Sequence, residues 1–85
     1  MHYVYVLLSL RDKKFYIGYS SDLKVRLKAH NSGAVPSTKL RRPLKLVFYE
    51  AYLSKADAVR REQYFKTNPG KKTLGLMLRS SVRSI

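Results

Sequence analysis

The chain opens on an apolar run, Tyr3-Val4-Tyr5-Val6-Leu7-Leu8, and returns to one at Phe15-Tyr16-Ile17-Gly18-Tyr19. Both are rich in β-branched and aromatic residues, with the polar stretch Arg11-Asp12-Lys13-Lys14 between them, so they read as the two strands of a β-hairpin. A turn over positions 10–13 would pair Ser9 with Lys14, Leu7 with Tyr16 and Tyr5 with Gly18. That register puts Tyr5, Tyr16 and Gly18 on one face and Val4, Val6, Leu8, Phe15, Ile17 and Tyr19 on the other. Ser20-Ser21-Asp22 offers N-caps for a helix running to about Asn31, where Ser32-Gly33 stops it. Residues 34–43, with Pro36 and Pro43, read as loop, and Leu44 to Ala51 as a third strand. Ser54-Lys55-Ala56-Asp57 fits a capping box opening a second helix that ends before Pro69-Gly70. Lys71 to Leu78 reads as a short third helix, and residues 79–85 as a frayed tail. The expected fold class is α+β, ββαβαα: one domain over 1–78 with a small three-stranded, largely antiparallel sheet flanked by helices.

Three polar or small residues break this pattern. On a helical wheel Ala58, Val59, Glu62 and Phe65 share one stripe with Glu62 near its centre, while Arg60, Arg61 and Tyr64 point elsewhere. A carboxylate aimed at the core side must be paired, protonated or bound to a metal. In the first helix Leu23, Leu27 and His30 share a face, so a histidine interrupts the apolar stripe with Arg26 beside it. Alone, such a histidine is more often a satisfied core residue, and such an arginine a solvated cation. The third break is Gly18 opposite Tyr5, which removes a side chain where something must approach the backbone closely. The remaining acids have ordinary work: Asp12 in the turn, Asp22 and Asp57 at helix starts, and Glu50 at a strand end where it can face water.

Charge narrows the choice of partner. Eighteen Lys and Arg against five Asp and Glu leave +13 on 85 residues. Self-repulsion of that size opposes folding and fits a polyanionic partner, with nucleic acid ahead of an anionic membrane, because no basic amphipathic helix stands out. No cysteine is present, which excludes disulfides and thiolate metal sites. No apolar run approaches the roughly 20 residues of a membrane span, and the expected location is cytoplasmic. A chain this short buries only about 60–65% of its unfolded surface, enough for one core.

The breaks fall on a known motif set. Val4-Tyr5 followed by Tyr16-Ile17-Gly18, then Asp22-Leu23, Arg26-Leu27, His30-Asn31 and Gly33, resembles the GIY-YIG nuclease family. Thr38, Arg41-Arg42-Pro43 and Leu46-Val47-Phe48-Tyr49 are similar to the loop and third strand of its small single-domain branch, and Ala56 to Lys66 to the helix bearing its metal-binding glutamate. The initial glycine of the first half-motif is replaced by Tyr3, and no counterpart appears for an asparagine that larger members carry after the glutamate. The resemblance implies a divalent-metal-dependent endonuclease acting on nucleic acid, with DNA favoured over RNA and structured or single-stranded DNA both open. It implies catalytic roles for Tyr5, Tyr16, Arg26, His30 and Glu62, with Glu62 holding Mg²⁺ or Mn²⁺ and Gly18 as motif backbone. One tyrosine would deprotonate the attacking water, with Tyr16 the favoured of the two. Thr38, Lys39, Arg41, Arg42, Lys66, Lys71 and Lys72 are candidate backbone contacts. The competing reading is a non-catalytic nucleic-acid-binding module of the same fold; a partner protein for targeting and the oligomeric state stay open.

Overall fold

The computed structural model describes all 85 residues. Its elements are β1 (His2–Ser9), β2 (Phe15–Ser20), α1 (Leu23–Ser32), a 3₁₀ turn at Lys39–Arg41, β3 (Leu44–Tyr52), α2 (Lys55–Lys66), α3 (Asn68–Met77) and α4 (Arg79–Arg83). The sheet is antiparallel throughout in the order β2-β1-β3, so the first strand is central. This placement explains why Val4 through Ser9 are all buried: β1 is paired on both edges and covered on both faces. The hairpin register is the expected one, with Tyr5 opposite Gly18 and Leu7 opposite Tyr16.

Each sheet face carries its own apolar cluster. On one face Val4, Val6 and Ile17 pack with Phe65 of α2, Leu74 of α3 and Leu78. On the other, Tyr5, Leu7 and Leu44 pack with Tyr16, Leu46 and the α1 residues Leu23 and Leu27. Phe65 has no exposed surface, and its truncation to alanine would cost about 3–5 kcal/mol. A register shift between Val6 and Leu7 lets β3 keep its apolar residues on both clusters.

Five local expectations need correction. Ser54 is the N-cap of α2 but makes no side-chain capping bond, and Asp57 instead pairs with Arg60 at 2.9 Å. The third helix begins at Asn68 rather than Lys71, because Pro69 sits in its first turn, where a missing N–H costs nothing, and the Thr67 side chain accepts from Gly70 N. The segment from Arg79 is helical, held by Val82 against the core, and not a frayed tail. Glu50 is paired rather than free in water: partly buried, it accepts from Arg61 Nε at 3.0 Å and from the Tyr52 hydroxyl at 2.7 Å. Arg61 therefore lies inward, its guanidinium 4.3 Å over the Phe65 ring, rather than away from the core.

Candidate active site

Local sequence builds the scaffold. Asp22 caps α1 through Oδ1, which accepts from Val25 N at 3.1 Å, and Gly33 closes the helix at φ 82, a conformation that favours glycine. Between these stops, the spacing of Leu23, Leu27 and His30 turns all three toward the sheet, and His30 ends with no exposed surface.

There His30 meets the hairpin. Its Nε2 is 2.7 Å from the Tyr5 hydroxyl, and its ring stands edge-on to Tyr5 and Tyr16 at centroid distances of 5.6 and 5.2 Å. Arg26, on the flank of the same helix, donates from Nε to the Tyr5 oxygen at 3.3 Å. Gly18 makes room for this: a Cβ there would fall 2.9 Å from Tyr5 Cε1 and closer still to Cζ and the hydroxyl. The open space seen in the sequence thus belongs to Tyr5 itself. Tyr5 has no exposed surface, whereas Tyr16 is half-buried and its hydroxyl accepts from Ser37 at 3.4 Å.

Electrostatics in this cluster oppose each other. Burial pushes the Tyr5 phenol above its usual value, against the hydrogen bond and charge of Arg26, and the charge of Glu62 adds to the rise. Burial, with Arg26 nearby, lowers His30, so its imidazole is neutral at pH 7. The hydrogen bond to Tyr5 raises Arg26, which stays cationic.

Glu62 is set apart from this group. Its helix packs on the opposite sheet face from α1, and no hydrogen bond joins it to either tyrosine. Its partner is Lys66 Nζ at 3.3 Å, and its side chain is 18% exposed, on the margin of the buried stripe rather than at its centre. It still lies within electrostatic reach of Tyr5. No cluster of three or more His, Asp or Glu side chains accompanies it. A single carboxylate that keeps a margin of solvent exposure suits Mg²⁺, which takes one or two carboxylates and fills its remaining positions with water and substrate phosphate.

The candidate backbone contacts divide. Thr38 is corrected: it is fully buried, its Oγ1 2.8 Å from His30 Nδ1, and it cannot face a phosphate. Arg41 is corrected too. It binds Asp12 at 2.7 Å and donates to the carbonyls of Lys14 and Phe15 at 3.1 and 3.3 Å, clamping the hairpin turn. That ion pair holds the Asp12 carboxyl down at about 2. Arg42 donates to Lys39 O at 2.9 Å and Lys66 pairs with Glu62, while Lys39, Lys71 and Lys72 are exposed. The part Thr38 plays with His30 was missed from sequence, since a hydroxyl among loop cations reads as one more polar contact.

The profile of the GIY-YIG catalytic domain matches residues 1–74. The chain is 42% identical over 72 residues to the UPF0213 protein YazA of Bacillus subtilis, covering 84% of this chain and 72% of that protein. It is 38% identical over 77 residues to the UPF0213 protein SSP2268 of Staphylococcus saprophyticus, covering 89% and 93%. Among solved structures, the solution NMR structure of the UPF0213 protein BH0048 from Bacillus halodurans superposes with a TM-score of 0.56 at 37% identity, covering 89% of this chain and 83% of that one. No helix is long and apolar enough to cross a membrane.

Proposed function

The chain belongs to the GIY-YIG catalytic domain family, and from that premise we propose that it is an endonuclease that hydrolyses phosphodiester bonds in DNA with Mg²⁺ or Mn²⁺. The observation that carries this reading is the Tyr5 hydroxyl held between a cation, Arg26 Nε at 3.3 Å, and a neutral base, His30 Nε2 at 2.7 Å. A binding surface has no use for a buried phenol in that setting. A hydrolase has, because the attacking water must lose a proton and the phosphate must be met by positive charge.

The two tyrosines then divide the work. Tyr5 has a proton acceptor in contact and Tyr16 does not, which favours Tyr5 as the base over Tyr16. In the free protein Arg26 lies against the Tyr5 oxygen. When its half-exposed guanidinium turns to the scissile phosphate, the phenol opens to water. Tyr5 passes its proton to His30, and the phenolate takes one from the water that attacks phosphorus in line. The bond to the leaving oxygen breaks and solvent protonates that oxygen; His30 then releases to solvent the proton it took from Tyr5, which water has already replaced, and the relay is back at its starting state. Tyr16, nearer the surface, orients the water. Glu62 is the residue that would hold the cation, which supplies charge neutralisation at the phosphate. Lys39, Arg42, Lys71 and Lys72 contribute sequence-independent attraction for the backbone.

The test is incubation with labelled single-stranded, branched, nicked and duplex DNA, and with RNA, in Mg²⁺, Mn²⁺ or EDTA, alongside Glu62→Ala. Cleavage that needs the metal and is abolished in the variant, with affinity equal or higher, is the expected result. The variant should stay folded, because alanine suits a helix and only an exposed Lys66 loses its partner. Tight binding without cleavage by the unaltered protein would overturn the enzyme in favour of a binding module.

A further inference from the structure

The hydrogen bonds around Tyr5 can be satisfied in only one order. The Tyr5 oxygen has two side-chain neighbours, Arg26 Nε and His30 Nε2. A guanidinium donates and never accepts, so the phenolic hydrogen has only His30 Nε2 to go to. Were Nε2 to carry the hydrogen instead, Tyr5 would face two donors, and its own buried O–H would be left without an acceptor. With Nε2 accepting, the neutral ring carries its hydrogen on Nδ1, and Nδ1 faces Thr38 Oγ1 at 2.8 Å. The threonine hydroxyl must then accept from the ring and give its own hydrogen elsewhere. Val35 O, at 3.5 Å, is the acceptor within reach. No buried side-chain polar atom in the molecule lacks a partner, which agrees with a complete chain of donors.

We propose that Thr38 is a positioning residue: its hydroxyl, anchored on the Val35 carbonyl, holds the His30 hydrogen on Nδ1 and so leaves Nε2 free to take the Tyr5 proton. The tight turn before the 3₁₀ segment is what fixes it, since Thr38 N and Lys39 N both donate to Val35 O, at 3.1 and 3.0 Å. The tautomer is therefore a property of the fold, set before any substrate arrives. The titratable and charged groups facing the ring are Tyr5 and Tyr16 from the sheet and Arg26 from its own helix. None of them is hydrogen-bonded to Nδ1, whose one side-chain partner is the loop hydroxyl.

The catalytic consequence rests on the nuclease reading above, but the tautomer does not. Proton–nitrogen NMR of the protein without substrate reads it directly. Wild type should show a protonated Nδ1 and an unprotonated Nε2 at neutral pH. Thr38→Val, which keeps the shape and loses the hydroxyl, should shift the ring toward hydrogen on Nε2, and Thr38→Ser should restore the wild-type pattern. In cleavage of whichever labelled DNA the wild type cuts best, Thr38→Val should lose about 10²-fold or more, and Thr38→Ser should recover most of it. The pH profile separates position from mere packing. Wild type should level off once His30 is neutral, whereas Thr38→Val should keep rising with pH as Tyr5 loses its proton to solvent instead. A wild-type ring with its hydrogen on Nε2, or a Thr38→Val spectrum identical to wild type, overturns the proposal whether or not the protein cuts. A protein with the expected spectra that cuts nothing overturns the nuclease reading and leaves the tautomer assignment standing. Should Thr38→Val fail to fold, Thr38→Ser and the wild-type spectrum still decide, because a serine that folds but does not hold the wild-type tautomer refutes the anchor.

Discussion

Gly18→Ala is the substitution whose outcome the structure constrains most tightly. Gly18 lies in extended strand opposite Tyr5, so alanine there brings no backbone strain. It would restrict the unfolded chain and, by that alone, stabilise the protein by about 0.4–1 kcal/mol. The added methyl carbon, however, falls 2.9 Å from Tyr5 Cε1 and nearer still to Cζ and the hydroxyl. Those atoms belong to a rigid ring with no exposed surface, packed with Leu7 and Leu44 beneath α1, and it has no free rotamer to retreat into. Overpacking of this kind costs about 1–3 kcal/mol, and tilting the ring also gives up the 2.7 Å bond to His30 and the 3.3 Å bond to Arg26. The clash outweighs the entropy. A net loss of about 2 kcal/mol corresponds to a Tm lower by roughly 8–16 °C in a domain of this size. Thermal unfolding followed by circular dichroism measures it, and a double-mutant cycle with Tyr5→Leu isolates the cause. Once the ring is gone the methyl has space, so the two substitutions should couple by about 1 kcal/mol or more. Cleavage by Gly18→Ala should fall about 10²-fold even where it remains folded, because the phenol is displaced by a substantial fraction of an ångström. A variant that melts within a degree of wild type, or a cycle that is additive, would refute the reasoning.

Other expectations follow from the same geometry. Under single-turnover conditions Tyr5→Phe should lose about 10²–10⁴-fold in rate and Tyr16→Phe less; the reverse order would return the base to Tyr16. The Asp12 carboxyl is depressed from 3.8 to about 2, chiefly by its hydrogen bond to Arg41. Its contribution to stability is therefore complete above pH 3.8 and lost as pH falls through about 2, so Tm should drop across that window and Asp12→Asn should flatten the drop. His30, lowered by burial and Arg26, acts in the same direction at higher pH: the unfolded chain takes a proton near 6.5 that the buried ring refuses, so stability falls as pH drops below that value. For duplex DNA, log K should fall with log salt at a slope of about −4 to −5 if about 4–6 phosphates are neutralised, which titration by fluorescence anisotropy checks.

What the sequence determined by itself is what short-range physics controls. Alternation of residue type within a few positions set the hairpin, its register and the shared face of Tyr5, Tyr16 and Gly18. Asp22 and Gly33 set both ends of α1 because caps act on their own helix, and the spacing of Leu23, Leu27 and His30 then turned the histidine inward. Charge pointed to a polyanion without any structure. What tertiary structure decided lies where partners are far apart in the chain. Arg41 finds Asp12 across 29 positions and becomes a clamp for the turn rather than a free cation. Glu50 and Arg61 pair across 11 positions in a partly buried setting, so neither follows the polarity of its own strand or helix. Val82 gives the last helix a core to rest on, which a local reading of a polar tail omits. Thr38 shows the limit most plainly. Nothing local distinguishes its hydroxyl from that of Ser37 beside it, yet one is buried against His30 and the other meets Tyr16 near the surface. A side chain's partner is fixed by which elements the fold brings together, and a periodic pattern, which reports only which face is apolar, carries no information about that.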